Sequence, residues 1–303
     1  MQTSVYLSAD AVQVVRGTVR GKGVRIASCA RAPLPEGAMI NGVVTNDAAL
    51  ADVLSSLAES GSLPDKDVDL VVDSGSILVK RIAVPPLRRR QMLHLIHGEF
   101  IEYSDTYEDL LYDYSVISRR NPEGPGGIIL CSAMERRMAQ NYTELFERCG
   151  IRLQSIDISL STVVHLAQYL PALAGKTFVI SVLDGSSLVS SLFAEGHYAL
   201  TNRTRLLAER GTPEAAMEVT NMISSMIQFN RAQQRDTALS AIYLCGLGEA
   251  DGALCDMISS ALNAPVAPLP DFPEIQADCN GYHLGALLYP TGNLLRKGGG
   301  RRG

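Results

Sequence analysis

The chain has 303 residues, a formal net charge of -5 at pH 7 and 46% hydrophobic residues. Lysine and arginine are interspersed with aspartate and glutamate, so no extended positive surface is expected to attract a nucleic acid. The first residues lack the basic and apolar segments of a signal peptide, and no stretch approaches the roughly 18 apolar residues of a membrane span. We therefore expect a soluble chain with two hydrophobic cores that is neither secreted nor membrane-spanning.

The six cysteines, at positions 29, 131, 149, 245, 255 and 279, are spread over the whole chain and form no C-x-x-C pair. This spacing is typical neither of a metal site nor of a dense disulfide framework. We therefore expect most of them to pack as small hydrophobic side chains in a protein of the reducing cytoplasm.

The first part of the chain predicts three strands, a helix and two further strands. Residues 5–16 alternate apolar and polar side chains on either side of a short turn, and residues 24–29 form the third strand. A helix follows from Asp47, with leucine and valine recurring at helical spacing, and residues 68–72 and 77–84 return to strand. This order is typical of the beginning of a ribonuclease H-like lobe.

Residues 85–121 interrupt this pattern. They predict one helix at 88–103, followed by the acidic, tyrosine-rich run YEDLLYDYSV. We interpret this segment as a small inserted subdomain. The first lobe then resumes with a strand at 127–132 and continues to about residue 175.

The same order of elements starts again at Thr177. Strand, polar turn, strand, turn and strand span residues 177–206, and Pro213 lies in the first turn of a long helix. Residues 241–244 predict another strand, which a glycine-containing turn connects to a helix at 251–262. The sequence therefore predicts two duplicated lobes, at 1–175 and 176–303, with a disordered basic tail at 297–303.

Five phrases of the sequence resemble one known family in their order and spacing. They are LPEGAMINGVVTND (34–47), VKRIAVPPLRRRQMLHLIHGEF (79–100), YDYSVI (112–117), CGIRLQSIDI (149–158) and LFAEGHYALTNRTRL (192–206). The family is that of the PilM-type pilus assembly proteins, in the FtsA- and PilM-like branch of the actin-like superfold, and the match spans about residues 4–295. The resemblance implies an α/β, actin-like fold of two ribonuclease H-like lobes, with a small inserted α+β subdomain in the first lobe.

The resemblance also implies a site for ATP with magnesium between the lobes, but the first phosphate loop departs from the family pattern. Aligned on the downstream VVRG, Tyr6 stands near the position of the family's acid, Ser8 where the family has glycine and Gln13 where it has lysine. Asp10 is the only acid nearby. Glycine lets backbone amides approach the phosphates, and the acid holds the metal through water. We therefore expect nucleotide to bind weakly or not at all.

Two later turns match the family's other nucleotide loops in part. The turn D-G-S-S stands at the position of the family's second phosphate loop. The turn G-L-G stands at the position of the family's glycine-rich loop beside adenosine. Taken alone, D-G-S-S is a common tight turn and G-L-G a common strand-to-helix turn. The candidate cofactor residues are Ser8, Asp10, Asp184, Gly185, Ser186, Gly246 and Gly248.

The function that the resemblance implies is that of a scaffold in the assembly platform of a type IV pilus or a related type II secretion-like machine. Such a protein is cytoplasmic and is recruited to the inner face of the cell membrane. It docks onto the cytoplasmic N-terminal peptide of a PilN-like single-pass membrane protein. Self-association of the chain is a further possibility that the sequence does not decide.

The docking groove is expected between the first lobe and the inserted subdomain. An apolar helix face would hold aliphatic anchors, and an acidic rim would attract the basic residues that commonly precede a membrane span. The alternative is that the apolar face only packs the subdomain. The candidate residues are Met92, Leu93, Ile96 and Phe100 on the apolar face, and Glu102, Asp105, Glu108, Asp109 and Asp113 in the rim.

An enzyme is the alternative from another functional class: an ATPase or small-molecule kinase on the same superfold, with Asp10 and Asp184 holding magnesium. The sequence contains no G-x-S-x-G, H-E-x-x-H or Walker motif. The fold alone does not decide between scaffold and enzyme. A third interpretation, an FtsA-like filament anchor, would need a C-terminal amphipathic helix, which LLYPTGNLLRKGGGRRG does not provide.

Overall fold

The structure is a computed structural model that describes residues 1–21, 23–103, 105–107, 109–121, 124–232 and 238–298. Among these residues, no helix combines the length and the apolar character that a bilayer crossing requires. In chain order the elements are β1 (Gln2–Leu7), β2 (Ala11–Arg20), β3 (Gly23–Pro33), β4 (Met39–Ile40), β5 (Val43–Val44), α1 (Asp47–Glu59), β6 (Val68–Val72), β7 (Leu78–Val84), α2 (Arg89–Glu99), β8 (Leu110–Ser118), β9 (Gly127–Glu135), α3 (Arg136–Arg148), β10 (Leu153–Ile158), α4 (Ser159–Tyr169), β11 (Thr177–Asp184), β12 (Ser187–Ala194), β13 (His197–Arg205), α5 (Pro213–Ala232), β14 (Leu239–Cys245), α6 (Leu254–Leu262), β15 (Val266–Pro268), β16 (Ile275–Ala277) and α7 (Leu288–Leu294).

Two large sheets repeat one strand order. In the first sheet the order is β10-β6-β1-β2-β3-β16, and in the second it is β13-β12-β11-β14-β15. Each sheet contains three consecutive antiparallel strands, β1 to β3 and β11 to β13. Two later strands then extend it in parallel beside the first of these three. The repeated order confirms the predicted duplication of ribonuclease H-like lobes.

The alternation of side chains along β1 explains how the first sheet is buried on both faces. Val5 packs in one hydrophobic cluster with Leu50 of α1. Tyr6, the next residue, packs into a second cluster that includes Val164 of α4. Because successive side chains of a strand point to opposite faces, one strand contacts both helical layers. In the second sheet, Val179 of β11 packs in the same manner against α5 and α6.

The inserted subdomain is larger than the sequence predicted. Its three-stranded sheet has the order β7-β9-β8, so strands from 78 to 135 take part and not only residues 85–121. The sequence placed β7 and β9 in the first lobe, yet they pair with each other. Ile129 of β9 packs towards α2, and Leu130 packs into the core between the lobes. A strand buried on both faces has the same apolar pattern in either sheet, so the pattern does not assign its partners.

The C-terminal part of the chain returns to the first lobe. β16 adds in parallel to the outer edge of β3, and α7 packs against α4, β1 and β2. Gly292 permits this contact, because a Cβ atom there would lie 2.4 Å from the carbonyl oxygen of Thr162. The second lobe therefore does not extend to the C-terminus as predicted. The predicted tail at 297–303 begins inside a 3-10 helix, Leu295–Gly298, and residues 299–303 lie outside the described residues.

Candidate functional site

Two hairpin turns, one from each lobe, meet between the large sheets. The first joins β1 to β2 and carries Asp10, and the second joins β11 to β12 and follows Asp184. The Ala9 amide donates a hydrogen bond to Oδ1 of Asp184 (2.8 Å), and the Tyr6 hydroxyl donates one to Oδ2 (2.5 Å). The two acidic residues therefore lie at turns that face one cleft.

A cavity of about 370 Å³ occupies this cleft. Its lining includes six of the seven candidate cofactor residues: Ser8, Asp10, Asp184, Gly185, Gly246 and Gly248. The seventh, Ser186, does not belong to this lining, and its carbonyl oxygen accepts a hydrogen bond from the Leu206 amide (2.8 Å). The fold thus brings both predicted phosphate turns and the glycine turn to one place.

Three backbone amides of the first turn, those of Ser8, Ala9 and Ala11, are already hydrogen-bonded within the protein. The Ser8 amide donates to the Ala11 carbonyl oxygen (2.9 Å), and the Ala11 amide donates to Oγ of Ser8 (3.0 Å). The Ala9 amide, between them, donates to Asp184 (2.8 Å). A phosphate-binding loop needs such amides free to point at phosphate oxygens. The first turn therefore does not fit a phosphate group in this conformation, and Ser8 closes it with the hydroxyl that glycine would lack.

Both acidic candidates for a metal site are engaged by neighbouring groups. Asp10 forms an ion pair with Arg31 (2.5 Å), and Asp184 accepts hydrogen bonds from Tyr6 and Ala9. Burial raises the pKa of Asp184, although these two hydrogen bonds oppose the rise. Among the described residues, no group of histidine, cysteine, aspartate or glutamate is arranged to hold a metal ion. Both carboxylates are therefore already engaged within the protein in this conformation.

The glycine turn after β14 forms the opposite side of the cleft. Gly246 has a φ of +69°, and a Cβ atom there would lie 2.0 Å from the carbonyl oxygen of Leu183. The Gly246 carbonyl oxygen accepts a hydrogen bond from Arg210 (2.8 Å), which also forms an ion pair with the buried Asp251. The Gly248 amide donates to the same carboxylate (2.8 Å). Turn geometry and close packing thus explain Gly246 without a ligand.

The sequence did not indicate three other side chains of the cleft, Arg31, Arg210 and Tyr289, and it marked Tyr6 only as the residue near the position of the family's acid. The rings of Tyr6 and Tyr289 contact each other edge to face, with 4.7 Å between their centroids. Burial raises the pKa of both tyrosine hydroxyls. The only local signal was the position of Tyr6 between two apolar residues of a central strand, whereas Arg210 and Tyr289 come from distant segments without a motif.

A buried ion pair joins the lobes beside this cleft. Asp73 follows β6 of the first lobe, and its side chain is only 5% exposed. Its Oδ1 accepts hydrogen bonds from Arg203 of β13 in the second lobe (2.5 Å) and from the Ser159 hydroxyl. Arg203 also donates to Oγ of Ser187 on β12 (3.1 Å). The contact holds the two lobes together through charge and not through apolar packing alone.

The predicted apolar docking face is buried inside the inserted subdomain. Met92, Ile96 and Phe100 pack against β9 in a single hydrophobic cluster, with Leu93 half-buried at its border. Met92, Ile96 and Phe100 therefore present no free surface to a partner, and for them the alternative of packing the subdomain is the correct one. The helix pattern did not reveal this because a buried face and a docking face are both apolar.

The acidic rim is on the surface, but part of it is paired. Glu102 forms an ion pair with Lys80 (2.7 Å), and Asp109 forms one with Arg136 (2.6 Å). Asp105 and Asp113 are exposed. The remaining rim residue, Glu108, lies outside the described residues.

Because the apolar face packs the subdomain, the same substitution at two of its isoleucines is expected to change the stability by different amounts. Ile96 is fully buried and Ile101 is 63% exposed. Ile96→Val is expected to lower the free energy of unfolding by about 0.5–1.5 kcal/mol, because it removes a buried methyl group. Ile101→Val, the same substitution on the surface, is expected to change it by less than about 0.5 kcal/mol. Urea titration measures both, and equal small effects would contradict a packed core at Ile96.

A separate groove lies between the first lobe and the inserted subdomain. Its volume is about 290 Å³, and one wall is the surface of α3 while the other is the beginning of β8. β8 is the edge strand of the inserted sheet. The residues of the groove are Leu111, Arg136, Ala139, Gln140, Thr143 and Glu144. The sequence predicted a groove at this boundary but assigned it to a face of α2.

Comparison with known proteins agrees with this fold. A structure described as a PilM-PilN type IV pilus biogenesis complex matches with a TM-score of 0.79 and 16% identity, covering 97% of this chain and 98% of that one. A Bacteroides thetaiotaomicron protein with an actin-like ATPase fold and unknown function matches with a TM-score of 0.51 and 9% identity, covering 88% and 89%. The ethanolamine utilization protein EutJ from Carboxydothermus hydrogenoformans matches with a TM-score of 0.51 and 10% identity, covering 97% and 89%. These similarities confirm the actin-like fold.

The family is shown by the sequence itself. The comparison with curated protein sequences gives no match. The family model described as type IV pilus assembly protein PilM matches residues 4–197, which is more than half of the chain. The chain therefore belongs to the PilM family of type IV pilus assembly proteins.

Proposed function

We propose that the protein is a cytoplasmic scaffold in the assembly platform of a type IV pilus or a related type II secretion-like machine. It would be recruited to the inner face of the cell membrane by the cytoplasmic N-terminal peptide of a PilN-like single-pass membrane protein. The observation that carries the proposal is the similarity, over 97% of the chain, to a structure described as a PilM-PilN complex. Membership of the PilM family supports the same function.

The groove between α3 and β8 is the surface that suits an extended peptide best. Leu111 offers an apolar contact, and Gln140 and Thr143 offer side chains that donate and accept hydrogen bonds. Because β8 is an edge strand, its outer side also suits pairing with an added strand. Asp113 lies two residues after Leu111, on the same face of β8, and Glu144 lines the groove from α3. These carboxylates would attract the basic residues that commonly precede a membrane span.

The charge of this groove can be tested with one substitution. Asp113→Lys is expected to weaken binding of the PilN-like N-terminal peptide roughly three- to tenfold, because it places a positive charge beside a basic peptide. The loss should shrink at high salt, which screens exposed charges. Fluorescence anisotropy with a labelled peptide measures both effects.

Asp256→Lys on α6 is the matched control, because Asp256 is an exposed acid of the second lobe. It is expected to leave peptide affinity unchanged. Asp113→Lys should keep the wild-type melting temperature, whereas Asp256→Lys should lower it slightly, because Asp256 lies in the first turn of α6, where the helix dipole favours an acid. If Asp113→Lys binds the peptide as tightly as the control does, the proposal that carboxylates of this groove attract the peptide is wrong.

Nucleotide is expected to bind weakly or not at all. Three amides of the first turn are already hydrogen-bonded within the protein, and Gln13 stands in place of lysine, so several charge-assisted hydrogen bonds to phosphate are lost. Each such bond contributes roughly 1.5–3 kcal/mol, so two losses weaken binding by more than about a hundredfold. Calorimetry with magnesium-ATP is expected to show no saturable heat in the micromolar range.

The second candidate function is that of an ATPase or small-molecule kinase. The observation that favours it is the cavity of about 370 Å³ between the two hairpin turns and the glycine turn. Micromolar affinity for magnesium-ATP, or hydrolysis that Asp184→Ala abolishes, would overturn the nucleotide prediction and favour the enzyme.

A further inference from the structure

Two cysteines meet where the C-terminal part of the chain returns to the first lobe. Cys29 lies on β3, and Cys279 lies two residues after β16, the strand that pairs with β3. Their sulfur atoms are 3.4 Å apart, although 250 positions separate them in sequence. A disulfide bond has a length of about 2.05 Å, so modest side-chain rotation would bring the two sulfur atoms together.

The backbone on both sides of Cys279 holds the two thiols next to each other. Before it, the Asp278 amide donates a hydrogen bond to the Ile26 carbonyl oxygen of β3 (2.9 Å). After it, the Asn280 carbonyl oxygen accepts a hydrogen bond from the Cys29 thiol (3.7 Å). The pair is therefore positioned by two fixed contacts and not by a chance approach of two mobile side chains.

The two cysteines of this pair are more exposed to solvent than the most buried cysteines. Cys29 and Cys279 are both partly exposed, whereas Cys131 and Cys245 are buried. A small oxidant in solution can therefore reach the pair. Cys149 and Cys255 are also partly exposed, and they provide an internal comparison.

We propose that Cys29 and Cys279 form a reversible intramolecular disulfide when the protein is exposed to hydrogen peroxide, and that this bond clamps the C-terminal segment to the first lobe. A thiolate of the pair attacks the peroxide O–O bond, which gives a sulfenic acid and releases water once the leaving oxygen is protonated. The second thiol then displaces the sulfenic oxygen as a second water. In total, two thiols lose two electrons and two protons, and one hydrogen peroxide is reduced to two waters.

The clamp would act on the cleft as well as on the chain end. The segment after Cys279 carries Gly285 and Tyr289, which line the cleft, and leads into α7. On β3, Arg31 pairs with Asp10 of the first turn. A bond between Cys29 and Cys279 therefore ties the segment that leads to one wall of the cleft to the first sheet.

Thiol reactivity sets the conditions for the reaction. Burial, and then the hydrogen bond with Cys279, raise the pKa of Cys29 to about 11. Because the thiolate is the nucleophile, oxidation by hydrogen peroxide is expected to be slow at neutral pH and to accelerate from pH 7 to pH 9.

The test uses the full chain, hydrogen peroxide and peptide mapping. After treatment at pH 8 and alkylation of the remaining thiols, digestion without reductant is expected to give a Cys29–Cys279 cross-linked peptide as the main disulfide product. Intact mass should fall by two hydrogen atoms, and a thiol reductant should reverse the change. The melting temperature of the oxidised protein should rise by roughly 5–10 °C, because the bond closes a long loop in the unfolded chain.

Two variants and a matched control complete the test. Cys29→Ser and Cys279→Ala should each abolish both the cross-link and the temperature shift, whereas Cys255→Ser should retain both. If either pair variant is too unstable to purify, the other and the wild-type peptide map still decide the outcome. Cross-links between other cysteines, oxidation of single thiols without a bond, or an equal temperature shift in Cys29→Ser would overturn the proposal.

Discussion

Arg203→Ala is expected to lower the free energy of unfolding by about 3 kcal/mol. The substitution leaves the Asp73 carboxylate, only 5% exposed, with the Ser159 hydroxyl but without a positive partner. Removing one member of a buried ion pair typically costs about 3–5 kcal/mol, mainly because the other charge stays buried and uncompensated. The Arg203 side chain is 26% exposed, which places the expected loss at the lower end. Urea titration with a common slope measures the difference.

Two further variants separate this effect from the loss of any arginine on the same strand. Arg205 is an exposed residue of β13, two positions after Arg203, and Arg205→Ala is expected to cost less than about 0.5 kcal/mol. The double variant Asp73→Ala with Arg203→Ala should cost less than the sum of the two single variants, because it removes both charges. Additive losses in this cycle would show that the two side chains do not interact.

The lobes could be predicted from the sequence because their signals are local. The hairpins β1–β2 and β11–β12 show alternating apolar residues on either side of a short turn, and the same order of strands and helices follows each. The partners of β7 and β9 could not be predicted, because strand pairing depends on distant segments. The packing of β16 and α7 on the first lobe could not be predicted for the same reason. Short segments near a chain end carry little pattern of their own.

The position of the candidate cleft could be predicted from the sequence, but the hydrogen bonds that its residues form could not. The positions of Asp10 and Asp184 follow from the two hairpins. That Ala9 and Tyr6 satisfy Asp184 across the lobes depends on contacts between residues more than 170 positions apart. No local pattern records such contacts, so the hydrogen bonding of the Ala9 amide became visible only in the folded chain.

The apolar face of α2 in the inserted subdomain also shows that a local pattern predicts an element but not its contacts. Its apolar spacing correctly predicted an amphipathic helix. Whether Ile96 and Phe100 would pack or bind depended on whether β9 covers them, and β9 lies about 30 residues later in the chain. The groove at α3 was missed because Ala139 and Gln140 form no apolar stripe.

Filling this groove is expected to abolish partner binding. Ala139 lies half-buried on the groove face of α3, so Ala139→Arg would place a long side chain in the space between α3 and β8. Arginine is nearly as good a helix former as alanine, so α3 should remain folded. We expect affinity for the PilN-like N-terminal peptide to fall by about a hundredfold or more, which corresponds to about 2.8 kcal/mol.

Asn141→Arg is the matched control. Asn141 is exposed on α3, and it points about a third of a turn away from the centre of the face that lines the groove. The control adds the same charge and bulk to the same helix, so any loss due to charge alone would affect both variants. Each should retain the wild-type melting temperature within a few degrees.

The most direct measurement is fluorescence anisotropy of the labelled PilN-like peptide with the wild-type protein, Ala139→Arg and Asn141→Arg. The scaffold account predicts saturable binding to the wild-type protein and to Asn141→Arg, with loss of binding in Ala139→Arg. Wild-type affinity in a folded Ala139→Arg variant would contradict the groove, and no binding of the peptide to the wild-type protein would contradict the proposed function itself.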